Sequence, residues 1–251
     1  VNAPRRNDRR IDVVAVVVPA RDEQDRLPGC LLALSAAARA VQALPVAPRV
    51  RVLVVQDRCT DGTGRVVASW PEVETVLTSV GRVGGARAAG IARILQTEAA
   101  AGVPAERVWI ACTDADSLVP ATWLHTHLRH ARAGDDLLLG MVRLHGDDLS
   151  AAAMRDFAAR HPARDGHPHV HGANLGVRGD AYRAAGGFPD VAEHEDVLLS
   201  RAVRDGGGRV AAVAASPVLT SARLHGRLAG GMSGYLREMV ASVEPRWRPS
   251  A

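Results

Sequence analysis

A chain of 251 residues can bury roughly 70–75% of its unfolded surface in one large fold. Its three cysteines, Cys30, Cys59 and Cys112, show no C-x-x-C spacing, so neither a zinc site nor a disulfide framework is indicated and a reducing, cytoplasmic setting fits. The net charge of +4 rests on 31 cationic side chains, every one an arginine, scattered apart from Arg5, Arg6, Arg9 and Arg10; with aromatics at 3% this excludes a nucleic-acid interface, which needs clustered cations and stacking rings. The longest apolar run, residues 13–18, is far shorter than the roughly 20 residues that span a bilayer, and the start of the chain lacks a signal-peptide core.

Residues 1–10 read as a disordered basic tail. Residues 11–18 are a continuous β-branched run, the pattern of a parallel strand buried on both faces, and Pro19 ends it. After the loop Ala20-Arg21-Asp22-Glu23, Leu27, Leu31, Leu34, Ala38 and Val41 recur at helical spacing over residues 27–44. A second strand over 50–55 leads through Gln56 and Asp57 to a short helix capped by Thr60 or Asp61. A third strand covers 73–80. The small residues from Gly84 to Gly90 open a helix to about residue 101, and suit close approach of backbone to a ligand or of helix to sheet.

Residues 107–112 form the fourth strand, which stops at Asp114-Ala115-Asp116 on a strand-to-helix loop before Pro120. A hard divalent cation such as Mg²⁺ takes one or two carboxylates plus phosphate and water oxygens, which this pair can supply; helix capping is the alternative use of the same residues. Strands alternating with helices predict an α/β fold with a parallel sheet.

Beyond residue 120 the chain reads as a helix over 123–133, a strand over 137–144 and a helix over 147–160. His161, His167, His169 and His171 then lie among turn residues, without a helix-spaced pair or carboxylate partner that would mark a transition-metal site. A strand over 172–178, a helix starting at Gly179 or Asp180, a helix over 197–203 with Glu195 and Asp196 in its acidic first turn, and short strands over 210–213 and 217–220 follow. Residues 230–248 read as a terminal helix, packed on this second half or on a second copy in a homodimer.

Five segments together carry a resemblance. Pro19-Ala20-Arg21-Asp22-Glu23, Gln56-Asp57-Arg58-Cys59-Thr60-Asp61, Thr113-Asp114-Ala115-Asp116, Gly172-Ala173-Asn174 with Gly186-Gly187-Phe188, and His194-Glu195-Asp196 occur in the order found in family 2 glycosyltransferases of the GT-A fold, which the chain resembles over residues 13–227. The resemblance implies a Rossmann-like GT-A fold whose mostly parallel central sheet carries helices on both faces. It implies a nucleotide-sugar-binding half over 11–119 and an acceptor half over 120–251. Pro19, Ala20, Arg21 and Glu23 would cradle the nucleotide, and Asp57 the base. UDP-sugars are favoured and GDP-mannose is an alternative, since Gln56 stands where many members carry Asp.

Arg87 would reach the diphosphate, or be a surface arginine, while Asp114 and Ala115 would contact the ribose or sugar. Asp116 would bind Mg²⁺ or Mn²⁺ with His225, and Arg223 or Arg227 could serve the diphosphate. Gly172, Asn174, His194 and Glu195 would face a hydroxyl acceptor, beside a histidine-rich acceptor loop. Asp196 would be the base of an inverting transfer. The Gln-x-x-Arg-Trp motif of processive members is missing, so a single transfer is expected. A retaining enzyme similar to glycosyl-phosphoglycerate synthases, and a silent nucleotide-sugar-binding module, remain alternatives.

Overall fold

The run of valines predicted as a central strand forms β1 (Val13–Ala20) in the computed structural model, which describes residues 10–146, 148–224 and 231–243. After it come α1 (Leu27–Gln42), β2 (Arg49–Asp57), α2 (Thr63–Ala68), β3 (Val73–Thr78), α3 (Val83–Ala100) and β4 (Val108–Cys112). β1 pairs in parallel with both β2 and β4, and β3 joins the far side of β2. β1 runs past Pro19 because its pairing with β4 ends at Val17; beyond that point the ladder to β4 makes no demand for an N–H. β2 likewise extends through Asp57, so this carboxylate is the last residue of the strand instead of lying beyond it.

Alternate residues of β1 feed opposite faces of the sheet. Val14, Val16 and Val18 pack with Leu27, Leu31 and Leu34 of α1, while Val13, Ala15 and Val17 pack with Ile91 and Ile94 of α3. A Cβ on Gly90 would come within 2.6 Å of Val55 and 2.7 Å of Val17, so the small residues of α3 serve close packing of helix on sheet at this position.

The second half begins with β5 (Ser117–Leu118), then α4 (Trp123–Ala133), β6 (Leu137–His145), α5 (Ala151–Arg160), β7 (Leu175–Arg178), α6 (Gly179–Ala184), α7 (Glu195–Asp205), β8 (Val210–Ser221) and α8 (Gly231–Val243). All eight strands form one sheet in the order β3-β2-β1-β4-β7-β6-β8-β5. β7 runs antiparallel to β4 and β6, and β5 antiparallel to β8, so the sheet is parallel in its first half and mixed in its second.

Further boundaries differ from expectation, among them the strand expected over 172–178, which begins at Leu175 after a 3-10 turn over Gly172–Asn174. α5 begins at Ala151 because the Ser150 side chain accepts from Ala153 N and caps it. The two short strands expected near the end are one, β8, in which Ser216 takes φ 55° and the register against β6 shifts. Between β4 and α4 the two-residue β5 replaces a plain loop.

α8 buries Leu236, Met239 and Val240 against Phe157 of α5 and Val142 of β6, so its described part packs on its own second half. Among the described residues no helix is long and apolar enough to cross a membrane.

Candidate active site

The strand ends of the parallel group open into a cavity of about 510 Å³ shared by both halves of the chain. Pro19, Ala20, Arg21 and Glu23 form one wall. That loop is tied to the next strand-end loop. Asp22, at φ 49°, accepts from Thr60 N at 2.6 Å, and Glu23 N donates to Thr63 Oγ1 at 2.8 Å. Asp57 reaches the same cavity while its Oδ1 accepts from Gly81 N at 3.0 Å.

Asp114, Ala115 and Asp116 project from the end of β4 into the cavity. Asp116 is held between that strand end and β5, whose Ser117 hydroxyl bonds Thr220 of β8 at 3.0 Å. One turn of chain beyond β8, Arg223 returns to the start of the fold. It donates to both oxygens of Glu23, 200 residues away in sequence, at 2.8 and 3.2 Å, and lies 3.0 Å from Asp116 Oδ2. Burial nevertheless pushes the Asp116 carboxyl up to about 6, against the opposing pull of Arg223.

Glu195 and Asp196 enter from the first turn of α7, just after His194, which lines the cavity at φ 65°. Asp196 is gripped by main chain alone among its described hydrogen bonds: Oδ2 accepts from Gly172 N at 2.7 Å and Oδ1 from Val197 N at 2.8 Å. Gly172 is required here, because a Cβ would sit 2.6 Å from the Arg87 guanidinium. Arg87 is 3% exposed and bridges the two carboxylate pairs, donating to Asp114 Oδ1 at 2.6 Å and Glu195 Oε1 at 2.5 Å. Burial alone would favour its neutral form, but Asp114 and Glu195 outweigh that and raise its affinity for the proton, so it stays a cation.

A family model described as glycosyl transferase family 2 matches residues 15–184. The chain belongs to glycosyl transferase family 2. The GT-A architecture agrees with solved structures. Staphylococcus aureus TarS in complex with UDP-GlcNAc aligns with TM-score 0.61 at 13% identity over 92% of this chain and 67% of that one. The mannosyltransferase PcManGT from Pyrobaculum calidifontis, in complex with GDP-Man and Mn²⁺, aligns with TM-score 0.57 at 22% identity over 93% and 62%. GalNAc-T7 with UDP, GalNAc and Mn²⁺ aligns with TM-score 0.60 at 12% identity over 93% and 48%. This family member thus spans about half to two thirds of the length of those chains. No curated protein matches its sequence significantly.

Against the expectations from sequence, two residues of this family member sit in unforeseen surroundings. Asn174 does not line the cavity: it is 1% exposed, accepts from Trp123 Nε1 at 2.8 Å and donates to the carbonyls of Met141 and Ser216. Its amide pins β6, β8 and α4 together, so it is a structural cross-link instead of an acceptor ligand. Arg87 is not a surface arginine: it lines the cavity, buried, and its two carboxylate partners hold it there. His225 and Arg227 lie outside the described residues.

The arginine partners of Glu23, Asp116 and Glu195 were not readable from sequence, where 31 arginines look alike. A buried pillar was also missed. His127, fully buried, accepts from Trp109 Nε1 at 3.1 Å through Nδ1 and packs edge-on to Trp123, and burial lowers its basicity to about 3. Its only sequence signal was its place on the apolar face of α4 beside Trp123, Leu124 and Leu128.

Proposed function

We propose that this protein moves a single hexose from a nucleoside diphosphate sugar to an acceptor hydroxyl with inversion at the anomeric carbon. The observation that supports this reading best is Asp196: a carboxylate fixed by two backbone N–H groups, open to the cavity that also receives Asp57, Asp114 and Asp116. The acceptor oxygen attacks the anomeric carbon, the bond from that carbon to the diphosphate oxygen breaks with its electron pair, and the acceptor proton passes to Asp196. Glu195, held by Arg87, helps to fix α7 while Asp196 acts. Asp57 would accept from a ring N–H of the base, with uracil favoured and guanine next. Pro19, Ala20, Arg21 and Glu23 would enclose the nucleotide, and Asp114 with Ala115 the sugar end.

The donor set suits a hard divalent ion. Among the described residues no three His, Cys, Asp or Glu side chains are grouped to hold a metal, but Mg²⁺ or Mn²⁺ needs only one or two carboxylates when substrate phosphates complete its shell. Asp116 is that carboxylate, crowded at the cavity by Asp114 and Glu23. When bound, the ion supplies charge neutralisation for the departing diphosphate. Mn²⁺ accompanies the nucleotide or nucleotide sugar in the PcManGT and GalNAc-T7 structures, which supports the same assignment here.

Calorimetric titration with UDP, GDP, UDP-glucose and GDP-mannose, each with and without Mn²⁺, tests the donor assignment. Metal-dependent binding of one nucleotide family is expected, and binding of none would overturn it. The anomeric configuration of the product, read by NMR, tests inversion.

A further inference from the structure

The histidine-rich segment builds one wall of the cavity. His161 stacks flat on Phe157, with ring centroids 4.1 Å apart and planes at 15°. His169 lies 4.5 Å from His161, and His171 lies 6.0 Å from each of them. The rings of His167, His169 and His171 keep planes within 17–25° of their neighbours, as alternate residues on one face of an extended segment do. Tyr235 of α8 meets His161 edge-on at 5.7 Å. His161, His169, His171 and Tyr235 line the same cavity as Asp196, and His171 directly precedes the glycine whose N–H holds that carboxylate.

Among the described residues these rings are not grouped as a metal nest. His161 donates from Nδ1 to the Phe157 carbonyl at 2.9 Å, which in the neutral ring leaves Nε2 as an acceptor. The Nε2 of His171 is closed to solvent and has no partner among the described residues, so this ring meets the cavity through its other edge. Burial and the neighbouring rings lower the basicity of His169, and that of His171 to about 3, so both are neutral at pH 7. A neutral imidazole offers one donor and one acceptor, as a hydroxyl does. Val142, Val170, Ala173 and Met232 add apolar surface, and Glu193 and Asp196 set carboxylates where an anionic group would meet repulsion.

We propose that this wall is the acceptor subsite and that it takes an uncharged polyhydroxylated acceptor, a neutral sugar or polyol. The C–H face of the acceptor lies against His161 and Tyr235, and its hydroxyls bond His169 and His171. This rests on the glycosyl-transfer reading and goes further, because it selects against phosphorylated and carboxylated acceptors.

Saturation-transfer NMR on the full chain, free and loaded with UDP or GDP, tests it with methyl α-glucopyranoside and glycerol as neutral probes and glucose 6-phosphate and 3-phosphoglycerate as anionic ones. The neutral sugar should bind at least about tenfold more tightly than either anion. His169→Ala should weaken it about tenfold while nucleotide affinity stays within about twofold. Tighter binding of an anionic probe, binding of neither class, or an unaffected His169→Ala variant would overturn the proposal. Failure of both nucleotides to bind overturns the transferase reading separately, because the probe spectra of the free chain still report on the wall.

Discussion

The cavity holds two carboxylate pairs, Asp114 with Asp116 at the end of β4 and Glu195 with Asp196 at the start of α7, and they are anchored by different means. In the first pair both members face arginine, Asp114 with Arg87 and Asp116 with Arg223. In the second, Glu195 takes the other arm of Arg87, while the described hydrogen bonds of Asp196 come from backbone N–H groups. A carboxylate beside a guanidinium has its charge matched by an adjacent full charge, although burial still outweighs Arg223 at Asp116 and Arg87 at Glu195. One held by backbone N–H groups keeps its position without such a charge and has lone pairs left for a hydroxyl proton. The contrast separates a pair suited to charge at the donor from a carboxylate suited to proton transfer, with Arg87 as the brace between them.

The sharpest way to break this contrast is Asp196→Asn. Turnover should fall roughly 10²–10⁴-fold with donor binding retained, as read by steady-state kinetics beside calorimetry; unaltered turnover would remove Asp196 from the base role. Arg87→Met tests the brace. It leaves Glu195 buried and Asp114 half-buried without their cation, and urea denaturation should show a loss of about 3 kcal/mol, with weakened donor binding. A loss below about 1 kcal/mol would mean that the two pairs are not coupled through this residue.

Asn174→Ala sharpens the boundary of the site. With the Trp123 indole N–H and the Met141 carbonyl left unpaired, stability should drop by about 2–3 kcal/mol while the acceptor KM of the folded fraction is unchanged. A raised KM at unchanged stability would restore Asn174 to the acceptor site.

His127 gives the pillar behind the site a pH signature. Its folded-state value near 3 lies below the ordinary 6.5, so between these limits the unfolded chain binds a proton that the folded chain refuses. Its contribution to stability is therefore fully present above about 6.5 and is lost as pH falls toward about 3. His171 acts in the same direction. Denaturation midpoints at pH 7 and pH 5 should differ less in His127→Gln than in the unaltered chain, and an equal difference would contradict the assignment. The smallest effect belongs to Ser150→Ala, about 1 kcal/mol from loss of the cap of α5, measured by thermal unfolding.

Local pattern was enough for much of this molecule. The β-branched run of β1, the helical spacing of α1 and the carboxylates stopping β4 follow from rules that act over a few residues, and the parallel first half was legible in them. The second half was read less well. β8 looked like two strands because its irregularity near Ser216 interrupts the apolar pattern, and β5 is too short to show a period at all.

By itself, then, the sequence determined the alternation of strands and helices, the two-sided burial of β1 and the arrival of Asp57, Asp114, Asp116, Glu195 and Asp196 at element ends. Tertiary structure decided which arginine each carboxylate meets, that Asn174 turns inward, and that His161 joins His169 and His171 in one wall. The physical reason is range. Hydrophobic periodicity is set by neighbours along the chain, whereas ion pairs such as Arg87 with Glu195 and Arg223 with Glu23 join residues 108 and 200 positions apart, which only the packed sheet brings within hydrogen-bonding distance.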